Sequence, residues 1–147
     1  MTDTDAEVDL SRRLADAMYA NDRTCQSLGI TLDEVGPGRA VLRMTLSDTM
    51  VNGIGTAHGG YLFLLADAAF AYACNTHGTV TVAQSASVVF LAPAAPGDEL
   101  VAHAVERTRS GRSGIYDVTV RGNGGQIIAE FRGHSMMLPG RRLIPDA

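Results

Sequence analysis

The spacing of apolar residues changes twice along this chain. Over residues 8 to 21 they recur at Leu10, Leu14, Ala17 and Met18, a helical spacing that leaves Arg12, Arg13 and Asp16 on a solvated face. Over residues 28 to 46 the pattern turns extended. Ile30, Leu32 and Val35 precede Gly36-Pro37-Gly38, and Val41, Met44 and Leu46 follow it, which predicts a hairpin. Residues 59 to 76 form an almost unbroken apolar run long enough for a second helix. Asn75-Thr76-His77-Gly78 ends it, with Gly78 suited to a left-handed cap. The rest reads as strands at 80–91, 100–108, 115–121 and 126–138, divided by Pro93, Pro96-Gly97, the turn at 110–114 and Asn123-Gly124-Gly125. Residues 1–7 and 139–147 read as loose tails.

A helix, two strands, a long apolar helix and four more strands predict an α+β fold. Only one helix is hydrophobic enough to be the filling, so the economical arrangement is one antiparallel sheet wrapped around it. The 147 residues fit a single domain, 1–147, with no repeat or linker. A net charge of −4, no Trp and only four Phe and four Tyr argue against a nucleic-acid partner. The longest apolar run, at 61–74, is interrupted by Asp67 and is too short to span a membrane. The acidic start Met-Thr-Asp-Thr-Asp-Ala-Glu is unlike a signal or transit peptide. Two cysteines, Cys25 and Cys74, make no disulfide framework, and Cys74 reads as a small buried hydrophobe. A reducing, cytoplasmic location is the expectation.

The candidate chemistry sits where the glycine-rich segment Val51-Asn52-Gly53-Ile54-Gly55-Thr56-Ala57-His58-Gly59-Gly60 opens the apolar helix. N–H groups at a helix start lack intrahelical acceptors and attract negative charge. Two turns on, Asp67 stands in apolar sequence near one helix face with Gly60, Phe63, Leu64, Ala71 and Cys74. A carboxylate there is either a structural group paired across a seam or a catalytic acid, and an apolar setting raises its basicity. An oxyanion-binding helix end plus such an acid suits a hydrolase. His58 is read as a hydrogen-bonding residue that fixes the loop and polarises a carbonyl. Metal binding is not expected, because His77, His103 and His134 are scattered and neither Cys-x-x-Cys nor His-x-x-x-His occurs. Asn52 has ordinary Asn-Gly turn chemistry as its simplest role. Ser85 and Ser87 alternate onto one face of the strand at 80–91. Arg109 and Arg112 flank a basic hairpin tip able to meet phosphate. Gly-x-Ser-x-Gly is absent.

The order N-G-x-G-T-A-H-G-G, followed by L-x-x-L-A-D-x-A-x-A-Y-A-C-N, resembles the phenylacetate-pathway (PaaI-type) acyl-CoA thioesterases of the hotdog fold. The resemblance continues through Phe90-Leu91-Ala92-Pro93, Gly97-Asp98, Ser110-Gly111-Arg112, Tyr116-Asp117-Val118 and Phe131-Arg132-Gly133, covering about residues 25–137. It implies a hotdog fold and hydrolysis of an acyl-CoA thioester, most simply phenylacetyl- or hydroxyphenylacetyl-CoA. It makes Asp67 the general base or the nucleophile and the Gly59 backbone the oxyanion donor; the free N–H of Gly60 beside it, read from its place at the helix start, is a candidate substrate contact. Asn52 orients the water or the carboxylate, Ser85 is the candidate hydroxyl for holding water, and Arg109 and Arg112 meet the coenzyme A phosphates. The resemblance implies no cofactor beyond the substrate's own CoA. It does imply a homodimer, paired into a tetramer, with each site shared between two protomers.

Two rivals follow from the same residues. One is an acyl-thioester dehydratase on the same fold, disfavoured because the His-Phe-Pro-Gly loop common in one such group is absent. The other is a non-catalytic acyl-CoA sensor, disfavoured by the presence of Asp67.

Overall fold

The computed structural model describes residues 2–145. Two helices, α1 (Asp3–Asn21) and α2 (Arg23–Ser27), precede a hairpin of β1 (Thr31–Gly36) and β2 (Arg39–Thr45). The long helix α3 (Gly59–Cys74) follows, then β3 (Thr79–Phe90), β4 (Glu99–Ser110), β5 (Ser113–Arg121) and β6 (Ile127–Arg142). All six strands form one antiparallel sheet in the order β1-β2-β4-β5-β6-β3. This is the α+β, hotdog-type arrangement expected, with α3 as the filling.

The sheet curves around α3 because its inner positions are apolar and often small. Leu62, Leu65, Ala66, Ala69, Phe70 and Ala73 of α3 are buried, as are Leu42, Met44, Ala102, Ala104, Val118 and Phe131 of the strands. Along β6, buried Phe131, Gly133 and Ser135 alternate with the outward Arg132 and His134. Gly133 is required by this packing: a Cβ there would lie 2.6 Å from the Phe70 ring. The Phe70 ring in turn meets those of Tyr116 and Phe131, with centroids 5.6 and 5.8 Å away.

Several boundaries differ from the expected ones. Helix α1 begins at Asp3, so residues 3–7 are not a loose tail; Thr2 and Asp5 form a capping box that the acidic composition disguises. The short helix α2 is an addition to the expected elements; the Asp22 carboxylate caps it through the Cys25 N–H at 3.0 Å. Helix α3 ends at Cys74, capped by Asn75, whose side chain also bonds both the N–H and C=O of Thr81 at 2.9 Å and so ties the helix end to β3. Gly78, with φ +99°, serves the turn beyond it. Strand β6 runs through Pro139-Gly140 to Arg142, which pairs with Thr79, so residues 139–142 of the expected C-terminal tail are sheet. Met1, Asp146 and Ala147, also assigned to tails, lie outside the described residues.

Strand β3 is a sheet edge. It pairs with β6 on one side only, yet carries exposed Val82, Val89 and Phe90 over a twelve-residue length. A long, apolar, unprotected edge is a template for pairing with another chain.

Candidate active site

The loop before α3 is built around Asn52. Its Oδ1 accepts from the N–H groups of Ile54 (3.0 Å) and Thr56 (3.1 Å), and its Nδ2 donates to Thr56 Oγ1 (2.9 Å). The turn role is thus realised, leaving one Nδ2 hydrogen on the wall of a cleft. The loop is pinned at its far end where the His58 N–H donates to the Met50 carbonyl at 2.8 Å.

His58 is the N-cap of α3. Its Nδ1 accepts from the Gly60 N–H at 3.0 Å, which assigns the proton of the neutral ring to an exposed Nε2. This corrects the expectation for Gly60: its N–H is occupied by the cap and not open to substrate. Tyr61 N–H bonds the His58 carbonyl at 3.0 Å. Gly59 alone in this first turn offers an N–H without an acceptor among the described residues. It faces a cleft of about 390 Å³ shared with Asn52, Thr56, Leu62, Phe90, Leu91 and Pro93. The cleft wall supplied by Phe90-Leu91-Ala92-Pro93 is an addition to the expected site residues; the Phe-Leu-x-Pro run that closes β3 is the signal that could have found it.

Asp67 lies elsewhere on the same helix. It is half-buried, has no hydrogen-bond or ionic partner among the described residues, and burial pushes its carboxyl above the ordinary Asp value. It belongs to the stripe Gly60, Leu64, Asp67 and Ala71, which faces away from the sheet and is only partly covered; Cys74, expected on that face, is buried. Asp67 lies eight positions beyond Gly59, about 12 Å of helix rise. Asp67 does not line the Gly59 cleft. Within one protomer, therefore, the acid and the free N–H are not brought together.

Ser85 does not join Asp67 either. It stands opposite His134 across β3 and β6, and Ser87 opposite Arg132, positions on the outward face of β6. A bulge between Ala83 and Ser85 shifts the register, so counting from Asp67 could not place the hydroxyl. Arg132 and His134 are likewise on the outer face, where Arg132 makes a bidentate pair with Asp117 at 2.7 and 2.8 Å. His103 is exposed, as its strand alternation suggested.

The two arginines at the hairpin tip differ. Arg109 Nε lies 3.2 Å from Glu106 Oε1, which also accepts from Tyr116 Oη at 2.7 Å and approaches His77 Nε2 at 2.9 Å. Burial would raise the Glu106 carboxyl, but the Tyr116 and His77 hydrogen bonds outweigh it and hold it below the ordinary Glu value. Arg112, on the turn Gly111-Arg112, is exposed and has no carboxylate partner among the described residues. Both thiols, Cys25 and Cys74, are buried, free and pushed up to about 12 by burial, so neither is a nucleophile. No group of three His, Cys, Asp or Glu that could hold a metal occurs among the described residues, and none of their helices is long and apolar enough to cross a membrane.

The helix-filled sheet, with a free N–H at the helix start and an unpartnered acid further along, matches a known group. A model of the thioesterase superfamily matches residues 54–129. An acyl-coenzyme A thioesterase PaaI of Escherichia coli K12 is 42% identical over 126 residues, 86% of this chain and 90% of the relative. The solved structure of the E. coli PaaI protein superposes with a TM-score of 0.89 at 40% identity, over 91% of this chain and 97% of that one. The TT0310 protein of Thermus thermophilus superposes with a TM-score of 0.77 at 38% identity, over 80% of this chain and 98% of that one. This chain belongs to the thioesterase superfamily and is an enzyme of that class.

Proposed function

We propose that this protein hydrolyses acyl-CoA thioesters to the free acid and CoA, with arylacetyl thioesters such as phenylacetyl- or hydroxyphenylacetyl-CoA as its substrates, in sites shared between two protomers. One observation carries the reading: each protomer holds an oxyanion donor without an acid and an acid without a partner. The Gly59 N–H opens into an uncharged cleft, while Asp67 sits on a half-covered outward stripe about 12 Å along the helix. The open apolar edge of β3 supplies a means for a second copy to add its half. A dimer paired into a tetramer is the proposed assembly.

In the assembled site Asp67 of one protomer removes a proton from water as it attacks the thioester carbonyl carbon, or attacks that carbon itself. The carbonyl electrons move onto oxygen, where the partner's Gly59 N–H and the partner's His58 Nε2–H stabilise the developing charge. Collapse breaks the C–S bond; in the general-base route CoA leaves as the thiol with the proton returned by Asp67, and in the nucleophilic route it leaves as the thiolate and takes its proton from solvent. If Asp67 is the nucleophile, water then opens the resulting anhydride. Asn52 keeps one Nδ2 hydrogen for the water or carboxylate, and Arg112 is the freer of the two candidates for a CoA phosphate. The arylacetyl preference draws on the E. coli relative, a protein of the phenylacetic acid degradation operon, and on the apolar cleft walls. The free, buried cysteines suit a reducing cytoplasm.

The test is incubation with phenylacetyl-CoA and a thiol reagent. Stoichiometric free CoA is expected. Binding without CoA release would make the protein a sensor, and loss of water from a hydroxyacyl thioester would make it a dehydratase.

A further inference from the structure

Phe90 is the last residue of β3, half exposed, and its ring edge faces the Cα of Gly59. A Cβ built on Gly59 would lie 3.0 Å from Phe90 Cζ and 3.4 Å from both Cε atoms. Gly59 is not at positive φ, so its backbone does not demand glycine. The ring does. Phe90 therefore stands directly beside the one free N–H of the helix start, on the wall of the same cleft.

That cleft has no charged side chain on its wall; besides Asn52 and Thr56 it is lined by apolar groups such as Leu62, Phe90, Leu91 and Pro93. A nucleotide would find no cation there, whereas the uncharged part of a thioester would find apolar contact along the walls. We infer that Phe90 is the specificity-determining residue of the cleft: its ring sets the width available to the acyl group once the thioester oxygen is on the Gly59 N–H. This rests on the hydrolase reading above and adds a residue to it. An aromatic wall beside the reacting carbonyl rejects acyl groups that are too wide and leaves slender ones poorly held. The energy at stake is that of one or two methylene-sized contacts, on the order of tenfold or more in selectivity.

The experiment compares kcat/KM for acetyl-, phenylacetyl- and 1-naphthylacetyl-CoA in the wild type, Phe90→Ala, Phe90→Leu and Phe90→Trp, with thermal melts as the check on folding. Phe90→Ala should raise the naphthylacetyl-to-phenylacetyl ratio about tenfold or more, Phe90→Leu less, and Phe90→Trp should shift preference toward acetyl-CoA. If Phe90→Ala does not fold, the Leu and Trp variants still carry the comparison. Gly59→Ala should lose activity, and adding Phe90→Ala should restore part of it, since the clash is with the ring. Equal effects on all three thioesters, or a Gly59→Ala loss that Phe90→Ala does not relieve, would overturn the inference. A wild type that hydrolyses none of them would instead overturn the hydrolase reading.

Discussion

Asp67 is a costly residue for its place. A half-buried carboxyl with no partner among the described residues and a raised pKa holds its proton more tightly in the folded chain than in the unfolded one. The stability linked to it is fully present below the unfolded value and is lost as pH rises through the folded value. Ionised Asp67 thus costs stability at neutral pH. Asp67→Asn should melt no lower than the wild type at pH 7, with the two curves converging below about pH 4. The same variant should lose on the order of 10²-fold or more in kcat with KM little changed. A folded Asp67→Asn enzyme with near-native turnover would remove Asp67 from the mechanism. In the wild type, the acid limb of kcat/KM should fall above the ordinary Asp range. The histidines make a second prediction at this scale. Prolonged dialysis against a strong chelator should leave kcat intact, because no ligand group assembles around His58 among the described residues; a loss restored by added zinc would contradict this. The placement of Gly59 and Asp67 on one helix is legible from spacing and residue type, and the turn role of Asn52 from its Asn-Gly pair. The capture of the Gly60 N–H by His58 is not, since sequence does not reveal which of two ring nitrogens faces the backbone.

At the scale of elements, the hairpin joining β4 to β5 separates two arginines that the sequence treats alike. Arg109 is committed to Glu106, itself held by Tyr116 and His77, whereas Arg112 is free at the tip among the described residues. Arg112→Glu should raise KM for CoA thioesters by a few-fold, about 1 kcal/mol, more than for a short thioester lacking the nucleotide, without altering the melting temperature. Arg109→Glu should instead lower the melting temperature, by setting a second carboxylate against Glu106. Equal KM shifts on both thioesters for Arg112→Glu would make the tip merely structural. The elements themselves are readable from period and turn residues: α3 from its apolar run, and the first hairpin from Pro37-Gly38. What escapes is decided by contacts. The Thr2–Asp5 box extends α1, Asp22 creates α2, and pairing with Thr79 carries β6 past Pro139. The β3 bulge sets Ser85 opposite His134 on the outward side of the sheet, because one inserted residue changes which face every later side chain takes.

The whole molecule presents the Gly59 N–H and the Asp67 carboxyl at two separate places along α3, together with an open sheet edge and a partly covered helix stripe. The central claim is that a second copy completes both. It is tested most directly by refolding Asp67→Ala and Asn52→Ala together, after each has been assayed alone and the oligomer sized by mass photometry. In a mixed dimer one site carries both substitutions and the other carries neither. Random mixing makes about half the dimers mixed, so about a quarter of all sites should regain wild-type turnover. A monomeric protein, or a refolded mixture no more active than the mean of its two parents, would contradict the shared site.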